Sequence, residues 1–264
     1  MHVAEKEVAR FDLDPRLMKS ILGIMKDVSD EFLMKMDSDG IHIAAVDPFN
    51  VYMVFVDVGF HCDDDVKETY LPKIPISIGV DYSDWIRAIK LSSGTDIHVK
   101  ILSKPGVADG SEMVTAKLSY ASSQIQIDSS ITLLDPAVLR KPPTIPAIGD
   151  RNRLIVDSQE LKAVIKAWRK ECSEIRLTLG TGILQISFKD FATAKLKATV
   201  TGELSSAKSL FDSEILGYMV KQLGVGEVEL FLGDDYPLTM NIIKGMGDWT
   251  MRISYLLAPR IHRE

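Results

Sequence analysis

The chain has 264 residues, 46% of them hydrophobic and 26% charged, and a formal net charge of −6 at neutral pH. This composition is typical of a soluble globular protein with room for two domains of roughly 130 residues each. The two distant cysteines, Cys62 and Cys172, exclude a disulfide framework, and no apolar run approaches the roughly 18 residues of a membrane span, so we expect a soluble intracellular protein.

The N-terminal part of the chain predicts a strand followed by a helix. Residues 8–13 alternate in hydrophobicity, and Asp14-Pro15 follows as an N-cap with proline at the first helical position. The apolar face of this helix of about 13 residues is formed by Met18, Ile21, Leu22, Met25 and Val28.

Three strands are predicted after this helix. Apolar residues alternate from Phe32 to Met36 and again from Ile41 to Ala45, with a hairpin turn at residues 37–40 between them. Residues 51–58 form the next predicted strand.

The pattern then repeats. Asp157 lies 143 positions after Asp14, and about 40 residues around each aspartate share the same apolar phase. Within each half, a shift of 131 positions relates Asp81 to Asp212. Each of these four aspartates follows an apolar segment and is predicted to cap a helix, with Glu160 at capping-box spacing. The chain is therefore predicted to contain four copies of a unit in which a helix is followed by antiparallel strands.

A proline-rich segment, residues 135–152, separates the two halves. Its prolines, at positions 136, 142, 143 and 146, are incompatible with the interior of a helix or sheet and favour a semi-rigid connector. We therefore predict an N-terminal domain at residues 1–134 and a C-terminal domain at residues 153–264.

Basic residues lie on the predicted polar faces of the helices. In the third helix, Leu161, Val164, Ile165 and Trp168 define the predicted buried stripe, and opposite them lie Lys162, Lys166, Arg169 and Lys170. The other helices carry Lys19 and Lys26, Arg87 and Lys90, and Lys221. Charge alone favours ordinary solvated faces, and the alternative is a basic surface for a phosphate backbone.

No catalytic constellation is visible in the sequence. The run from His61 to Asp65 has metal-ligand residue types, but consecutive residues rarely face one ion, so an acidic loop is favoured over a metal site. The five histidines have no evident partners, and motifs for nucleotide or metal cofactors do not occur. We predict no metal, no cofactor and no enzymatic activity.

Five short motifs in their order along the chain resemble the DNA polymerase sliding clamps of the proliferating cell nuclear antigen family. They are Asp39-Gly40-Ile41 leading to Ala45-Val46-Asp47, then Ile78-Gly79-Val80-Asp81, the proline-rich connector, Tyr236-Pro237-Leu238, and Leu257-Ala258-Pro259-Arg260-Ile261. The resemblance covers nearly the whole chain. It implies an α+β DNA clamp fold, with two similar domains that each pack two helices on antiparallel sheets.

The resemblance implies a processivity factor for DNA replication and repair, a subunit of a trimeric ring that encircles duplex DNA without reading its sequence. Homotrimer and heterotrimer remain open, and the edge strands that pair subunits are assigned to residues 124–133 and 193–200. The DNA-facing residues carried over by position are Lys19, Lys26, Arg87, Lys90, Lys166 and Lys170. The polar helix faces add Lys162, Arg169 and Lys221 to this predicted set. Such a protein is cytoplasmic in a prokaryote and nuclear in a eukaryote.

The resemblance also implies a groove that binds a short peptide with aliphatic and aromatic anchors. The proteins expected to contain such a peptide are DNA polymerase, clamp loader, nuclease and ligase. The groove residues carried over are Val46, Asn50, Val51, Met53, Ile145, Pro237, Leu256, Ala258, Pro259 and Ile261. Two alternatives remain: a clamp-like subunit for damage signalling, which would not stimulate a replicative polymerase, and a metal-dependent hydrolase that uses His61 and Asp63 to Asp65.

Overall fold

A computed structural model describes residues 6–60, 71–72, 74–90, 92, 96–105, 112–121, 126–143, 152–189, 192–201 and 205–260. In chain order the elements are β1 (Lys6–Leu13), α1 (Pro15–Met25), β2 (Glu31–Asp37), β3 (Gly40–Val46), β4 (Tyr52–Phe60), β5 (Ile76–Asp81), α2 (Tyr82–Ile89), β6 (Ile97–Pro105), β7 (Glu112–Ala121), β8 (Gln126–Thr132), β9 (Arg153–Asp157), α3 (Ser158–Trp168), β10 (Glu174–Gly180), β11 (Ile183–Phe188), β12 (Ala192–Lys197), β13 (Thr199–Thr201), β14 (Ala207–Asp212), α4 (Ser213–Lys221), β15 (Glu227–Phe231), β16 (Leu238–Met246) and β17 (Trp249–Leu257). Among the described residues, no helix has the length and apolar character needed to cross a membrane.

The chain divides into two compact units. Unit 1 consists of Met1–Val46, Phe55–Pro142 and Lys244–Met251. Unit 2 consists of Asp47–Val54, Pro143–Ile243 and Arg252–Glu264. The sequence boundary between the longest segments of the two units lies between residues 142 and 143, inside the proline-rich segment. Two short segments depart from chain order, because Asp47–Val54 belongs to unit 2 and Lys244–Met251 belongs to unit 1.

Unit 1 contains a four-stranded sheet with the order β1-β6-β7-β8 and a second sheet in which β2 lies between β3 and β5. All the strand pairs given for these sheets are antiparallel. Helices α1 and α2 pack against each other. Trp85 and Ile89 of α2 are almost fully buried, as is the predicted apolar face of α1.

Unit 2 repeats this plan. Its four-stranded sheet has the order β12-β11-β10-β14, and in a further sheet β9 lies between β13 and β15. Helices α3 and α4 pack against each other. The core of this unit includes Leu161 and Ile165 from α3 and Leu216 from α4.

The structure contains the internal repeat that the sequence predicts. Adding 143 to the bounds of α1 (15–25) gives those of α3 (158–168), and the same shift converts β2 (31–37) into β10 (174–180). The strand register follows the repeat as well, since the pair Phe11 and Val99 becomes the pair Leu154 and Leu230 under the shifts of 143 and 131. The first helix has 11 residues instead of about 13, and Val28 is buried in the turn that follows it.

Two glycines in the motifs allow close backbone approaches within unit 1. Gly40 has φ of 150°, and a Cβ atom at this position would lie 1.9 Å from the carbonyl oxygen of Val58. Gly79 forms an isolated β-bridge with Leu134, and a Cβ atom there would lie 2.5 Å from the Leu134 carbonyl oxygen. Both positions therefore exclude any larger residue unless the backbone moves.

Candidate functional site

All four predicted aspartates cap their helices. Each has an extended backbone and accepts hydrogen bonds from N–H groups of the first helical turn, which otherwise lack partners. The bonds run to Asp14 from Arg16 (2.7 Å), to Asp81 from Asp84 (3.0 Å), to Asp157 from Glu160 (2.8 Å), and to Asp212 from Glu214 (2.9 Å) and Ile215 (3.0 Å). The helix starts that the sequence predicts are confirmed.

The caps at Asp14 and Asp212 also bind arginine side chains. Arg16 forms an ion pair of 2.9 Å with Asp14. Burial opposes ionisation of Asp14, but the hydrogen bonds from Arg16 outweigh it and hold the pKa of this carboxyl below its usual value. Arg16 is exposed and lies on the first helix, a basic residue absent from the predicted DNA-facing set.

Two of the predicted DNA-facing lysines bind backbone carbonyl groups inside their own units. The ammonium of Lys19 on α1 donates to the carbonyl oxygen of Ser92, just beyond the end of α2, over 2.7 Å. The ammonium of Lys162 on α3 donates in the same way to Leu223, just beyond α4, over 2.6 Å. Both lysines are only half exposed. Each one therefore ties the end of one helix to its neighbour.

Most of the remaining basic candidates are exposed at helix surfaces or ends: Lys26, Arg87, Lys90, Lys166, Lys170 and Lys221. Arg87 lies 3.6 Å from Asp84, one turn earlier on α2. Arg169 differs from the group because it is half buried against α4, where a Cβ atom at Gly217 would come within 2.5 Å of its guanidinium. The exposed set thus has six residues, fewer than the nine that the sequence analysis predicts to face DNA.

Trp168 does not complete the buried stripe on α3. Its neighbours Leu161 and Ile165 are buried, but Trp168 is 38% exposed and its ring packs against Phe188 at a centroid distance of 6.0 Å. The prediction of a buried stripe is wrong at Trp168, which is the last residue of the helix, and at Val164, which is half exposed.

The loop between β3 and β4 carries two of the predicted groove residues, Asn50 and Val51, and is held together by Asp47. The Asp47 carboxylate accepts from the N–H groups of Phe49 (2.9 Å), Val51 (2.7 Å) and Tyr52 (2.6 Å). Asn50 adopts φ of 58°, in the left-handed region that asparagine tolerates better than most residues. The loop is therefore internally braced by one side chain.

The end of β17 lies directly against this loop within unit 2. The N–H of Ala258 donates to the carbonyl oxygen of Val51 over 2.8 Å, and the rings of Tyr52 and Tyr255 stack with centroids 6.0 Å apart. The half-exposed predicted groove residues of this unit are Val51, Met53, Pro237, Ala258 and Pro259.

The other predicted groove residues differ in exposure. Leu256 and Val46 are buried, with exposed fractions of 6% and 4%, whereas Asn50 is exposed. Ile145 and Ile261 lie outside the described residues.

Arg260 forms two ion pairs that the sequence did not reveal. Its guanidinium pairs with Glu174 at 3.0 Å and with the helix cap Asp212 at 2.5 Å, and its backbone N–H donates to Leu210 over 2.7 Å. The hydrogen bond to Glu174, assisted by Asp212, raises the pKa of this guanidinium further. A cleft of about 600 Å³ opens beside it, lined by Arg169, Lys170, Cys172, Ser173, Asp212, Ser213, Glu214, Tyr218 and Arg260.

Both predicted subunit-pairing segments contain strands at the edges of four-stranded sheets. β8 covers most of residues 124–133, and β12 lies at the edge of its sheet. The second segment, 193–200, is divided between β12 and β13, and between them the N–H of Ala198 donates to the Gly182 carbonyl over 2.9 Å. Within the described residues, β8 and β12 each pair on one side only.

The candidate metal cluster cannot be placed, because residues 61 to 65 lie outside the described residues. Over the described part of the chain, no group of three or more histidine, cysteine, aspartate or glutamate residues could hold a metal ion. Cys172 is buried and burial raises the pKa of its thiol.

Comparison with known proteins relates the whole chain to clamps. No protein-family model matches it. It is 30% identical over 264 residues to the DNA polymerase sliding clamp of Methanothrix thermoacetophila, covering 96% of this chain and 98% of the relative. It is 28% identical over 265 residues to that of Methanococcoides burtonii, with the same coverage.

A solved structure of A. fulgidus PCNA, bound to the C-terminal region of FEN-1, has a similar fold. Its TM-score is 0.73 with 25% identity, and the match covers 97% of this chain and 100% of that one. The chain belongs to the DNA polymerase sliding clamp family.

Proposed function

We propose that this chain is a subunit of a ring that encircles duplex DNA and tethers DNA polymerase and other replication and repair proteins to it. The observation that carries this function is the set of exposed lysine and arginine residues on, or just beyond the ends of, four repeat-related helices in a chain whose net charge is −6. Within their own bounds α1 and α3 carry a net positive charge, whereas α2 and α4 each balance one acidic residue with one basic residue. Positive helices in an acidic chain suit a protein with one surface for phosphates.

The proposed DNA contacts are electrostatic. Lysine and arginine that face phosphates hold the duplex without reading base edges, which allows a clamp to slide. The exposed residues Lys26, Arg87, Lys90, Lys166, Lys170 and Lys221 form the principal contact set. Lys19 and Lys162 are secondary contacts, because one hydrogen bond of each ammonium already goes to a carbonyl oxygen.

The ring closes by pairing of edge strands between subunits. β8 of one subunit and β12 of the next are the proposed partners, since their free sides offer unpaired backbone groups within the described residues. The domain limits 1–134 and 153–264, joined by 135–152, remain our proposal for the parts that repeat around the ring. Both a homotrimer and a heterotrimer satisfy this arrangement.

The groove beside the loop of Asp47 is proposed to bind a short peptide with aliphatic and aromatic anchors. In the A. fulgidus clamp, the bound molecule is the C-terminal region of FEN-1. By analogy, DNA polymerase, clamp loader, nuclease and ligase are proposed partners of this chain. Buried apolar anchors dominate the binding energy of such small interfaces.

The proposed activity is non-catalytic and needs no cofactor. Its relatives are clamps by name, and a ring that slides on DNA performs its function by binding alone. Because the proposed partner is duplex DNA, the chain is placed where the chromosome is, in the cytoplasm of a prokaryote or the nucleus of a eukaryote.

Two measurements test the ring. Light scattering should give a mass about three times the 29.3 kDa of the chain, alone or with the related subunits of its source. After loading, the protein should remain on closed circular DNA and leave linear DNA by sliding off its ends. A monomer under every combination of subunits, or equal retention on both forms of DNA, would overturn the proposal.

A further inference from the structure

One large aromatic ring stands out on the surface of unit 2. Phe49, in the loop between β3 and β4, is 82% exposed. Single exposed apolar residues are common on protein surfaces, so the exposure alone indicates nothing. Its significance comes from how the loop is held and from what lies beside it.

Hydrogen bonds within the loop hold the backbone that carries Phe49. The N–H of Phe49 itself donates to Asp47 Oδ2 over 2.9 Å, while Asp47 Oδ1 accepts from Val51 and Tyr52. The N–H of Asn50 adds a hydrogen bond to the Asp47 carbonyl oxygen over 3.1 Å. Because the backbone on both sides of Phe49 is already ordered, less backbone entropy is lost when a partner covers the side chain.

Phe49 is on the same hydrogen-bonded loop as the predicted groove residue Val51. Val51 follows two residues later and accepts the 2.8 Å hydrogen bond from Ala258, which fixes the loop to the end of β17. Val51, Ala258 and Pro259 are all half exposed and apolar. Phe49 and these groove residues are thus apolar residues held on one hydrogen-bonded backbone frame.

The chemistry of this surface favours an uncharged occupant. In the segment from Val46 to Tyr52, the only ionisable group apart from the phenol of Tyr52 is the carboxylate of Asp47, which three N–H groups already occupy. Tyr52 itself is buried in the stack with Tyr255. Apart from the Asp47 carboxylate, which binds these N–H groups, the loop offers no charged group to a partner side chain.

We propose that Phe49 is a specificity-determining anchor for partner peptides, whose ring packs against an aromatic side chain of the bound peptide. Aromatic pairs gain interaction energy beyond the area they bury. This inference rests on the proposed peptide-binding function and adds a named contact to it, which favours peptides with aromatic over purely aliphatic anchors.

The test is a binding measurement by fluorescence anisotropy with a labelled peptide of the FEN-1 C-terminal region. The variants are Phe49→Ala, Phe49→Leu and, as a matched exposed control elsewhere in unit 2, Val225→Ser. Phe49→Ala should weaken binding about tenfold, Phe49→Leu should weaken it less, and the control should leave it unchanged. Because the ring is exposed, the melting temperatures of all variants should match that of the unchanged chain.

A second peptide, with its aromatic residues replaced by alanine, completes a double-mutant cycle. The Phe49→Ala effect should largely disappear with this peptide. If the unchanged chain binds the first peptide and Phe49→Ala binds it equally well, the anchor is wrong and the groove stands. If the unchanged chain does not bind the first peptide, both fail. If Phe49→Ala lowers the assembly mass in light scattering, the Phe49 side chain contacts another copy of the chain. The proposal that Phe49 is an anchor for partner peptides is then wrong.

Discussion

The ammonium group of Lys162 donates a 2.6 Å hydrogen bond to the carbonyl oxygen of Leu223, and the repeat copies this contact in the other unit as the 2.7 Å bond from Lys19 to Ser92. The residues are related by the repeat shifts, since 162 − 19 is 143 and 223 − 92 is 131. Carbonyl groups at the C-terminal end of a helix lack intrahelical partners and carry partial negative charge. In each unit, one lysine therefore holds the two helices together.

Replacing Lys162 with methionine should lower the stability of the protein. Methionine keeps most of the aliphatic stem but loses the charged hydrogen bond to Leu223, so we expect a loss of about 1–2 kcal/mol in the free energy of unfolding. Denaturant titration of Lys162→Met against the unchanged chain measures it.

Lys166 provides the matched control one turn further along α3. Its side chain is exposed, and Lys166→Met should change the free energy of unfolding by less than about 0.5 kcal/mol. Equal losses for the two variants would show that the bond to Leu223 contributes nothing specific.

The exposed lysines of unit 2 should instead determine the salt dependence of DNA binding. Each phosphate contact releases condensed counterions, so the slope of log K against log salt concentration should fall in magnitude by about 0.9 for each lysine removed. The variants Lys166→Gln and Lys170→Gln, and their combination, can be titrated with sodium chloride on a duplex followed by anisotropy.

Lys208 is the control for this titration, because it is exposed on β14 in the same unit but lies outside the helices. Lys208→Gln should keep the slope of the unchanged chain. If Lys208→Gln reduced the magnitude of this slope as much as Lys166→Gln does, the helices would have no special role in binding DNA.

Much of the fold could be read from the sequence because it depends on local physics. Asp14, Asp81, Asp157 and Asp212 begin helices through bonds to residues two or three positions ahead, and apolar periodicity locates the strands. The sequence could not predict that Asp47–Val54 belongs to unit 2 and Lys244–Met251 to unit 1, because this depends on how strands associate.

The sequence likewise could not predict whether a lysine side chain binds a neighbouring backbone group or is exposed. Lys19 and Lys166 look equivalent as basic residues on polar helix faces, yet one binds a carbonyl group and the other is exposed. The choice depends on whether a helix end lies within reach. The repeat held the only signal, since Lys19 and Lys162 occupy the same position in both halves.

His42 should make the stability of the protein depend on pH. Its Nδ1 lies 2.8 Å from Asp57 and its Nε2 lies 3.5 Å from Asp37, on the strands β4 and β2. The hydrogen bond to Asp57, aided by Asp37 and opposed by burial, raises the pKa of His42 above its usual 6.5. Stabilisation from the protonated ring is therefore complete below pH 6.5 and is lost as the pH rises through the raised value.

Melting temperatures at roughly pH 6 and roughly pH 8.5 test this dependence. The unchanged chain should lose more stability between the two than His42→Gln or Asp57→Asn does. Because the histidine is 38% exposed, about 1 M salt should shrink the difference. Identical pH profiles for all three proteins would show that this triad of side chains has no influence on stability.

Gly79 should tolerate no side chain, because a Cβ atom would lie 2.5 Å from the Leu134 carbonyl oxygen and 2.7 Å from the Leu134 Cβ. Relieving these contacts requires the backbone of β5 or of residue 134 to shift, so Gly79→Ala should cost about 2–3 kcal/mol in the free energy of unfolding. Gly23 is the opposite case within unit 1: it is exposed on α1, a Cβ atom there would meet nothing within 4 Å, and Gly23→Ala should stabilise the protein by about 0.5–1 kcal/mol. Denaturant titrations of both variants measure these changes. A Gly79→Ala protein as stable as the unchanged chain would mean that the β-bridge to Leu134 accommodates a Cβ atom without loss of stability.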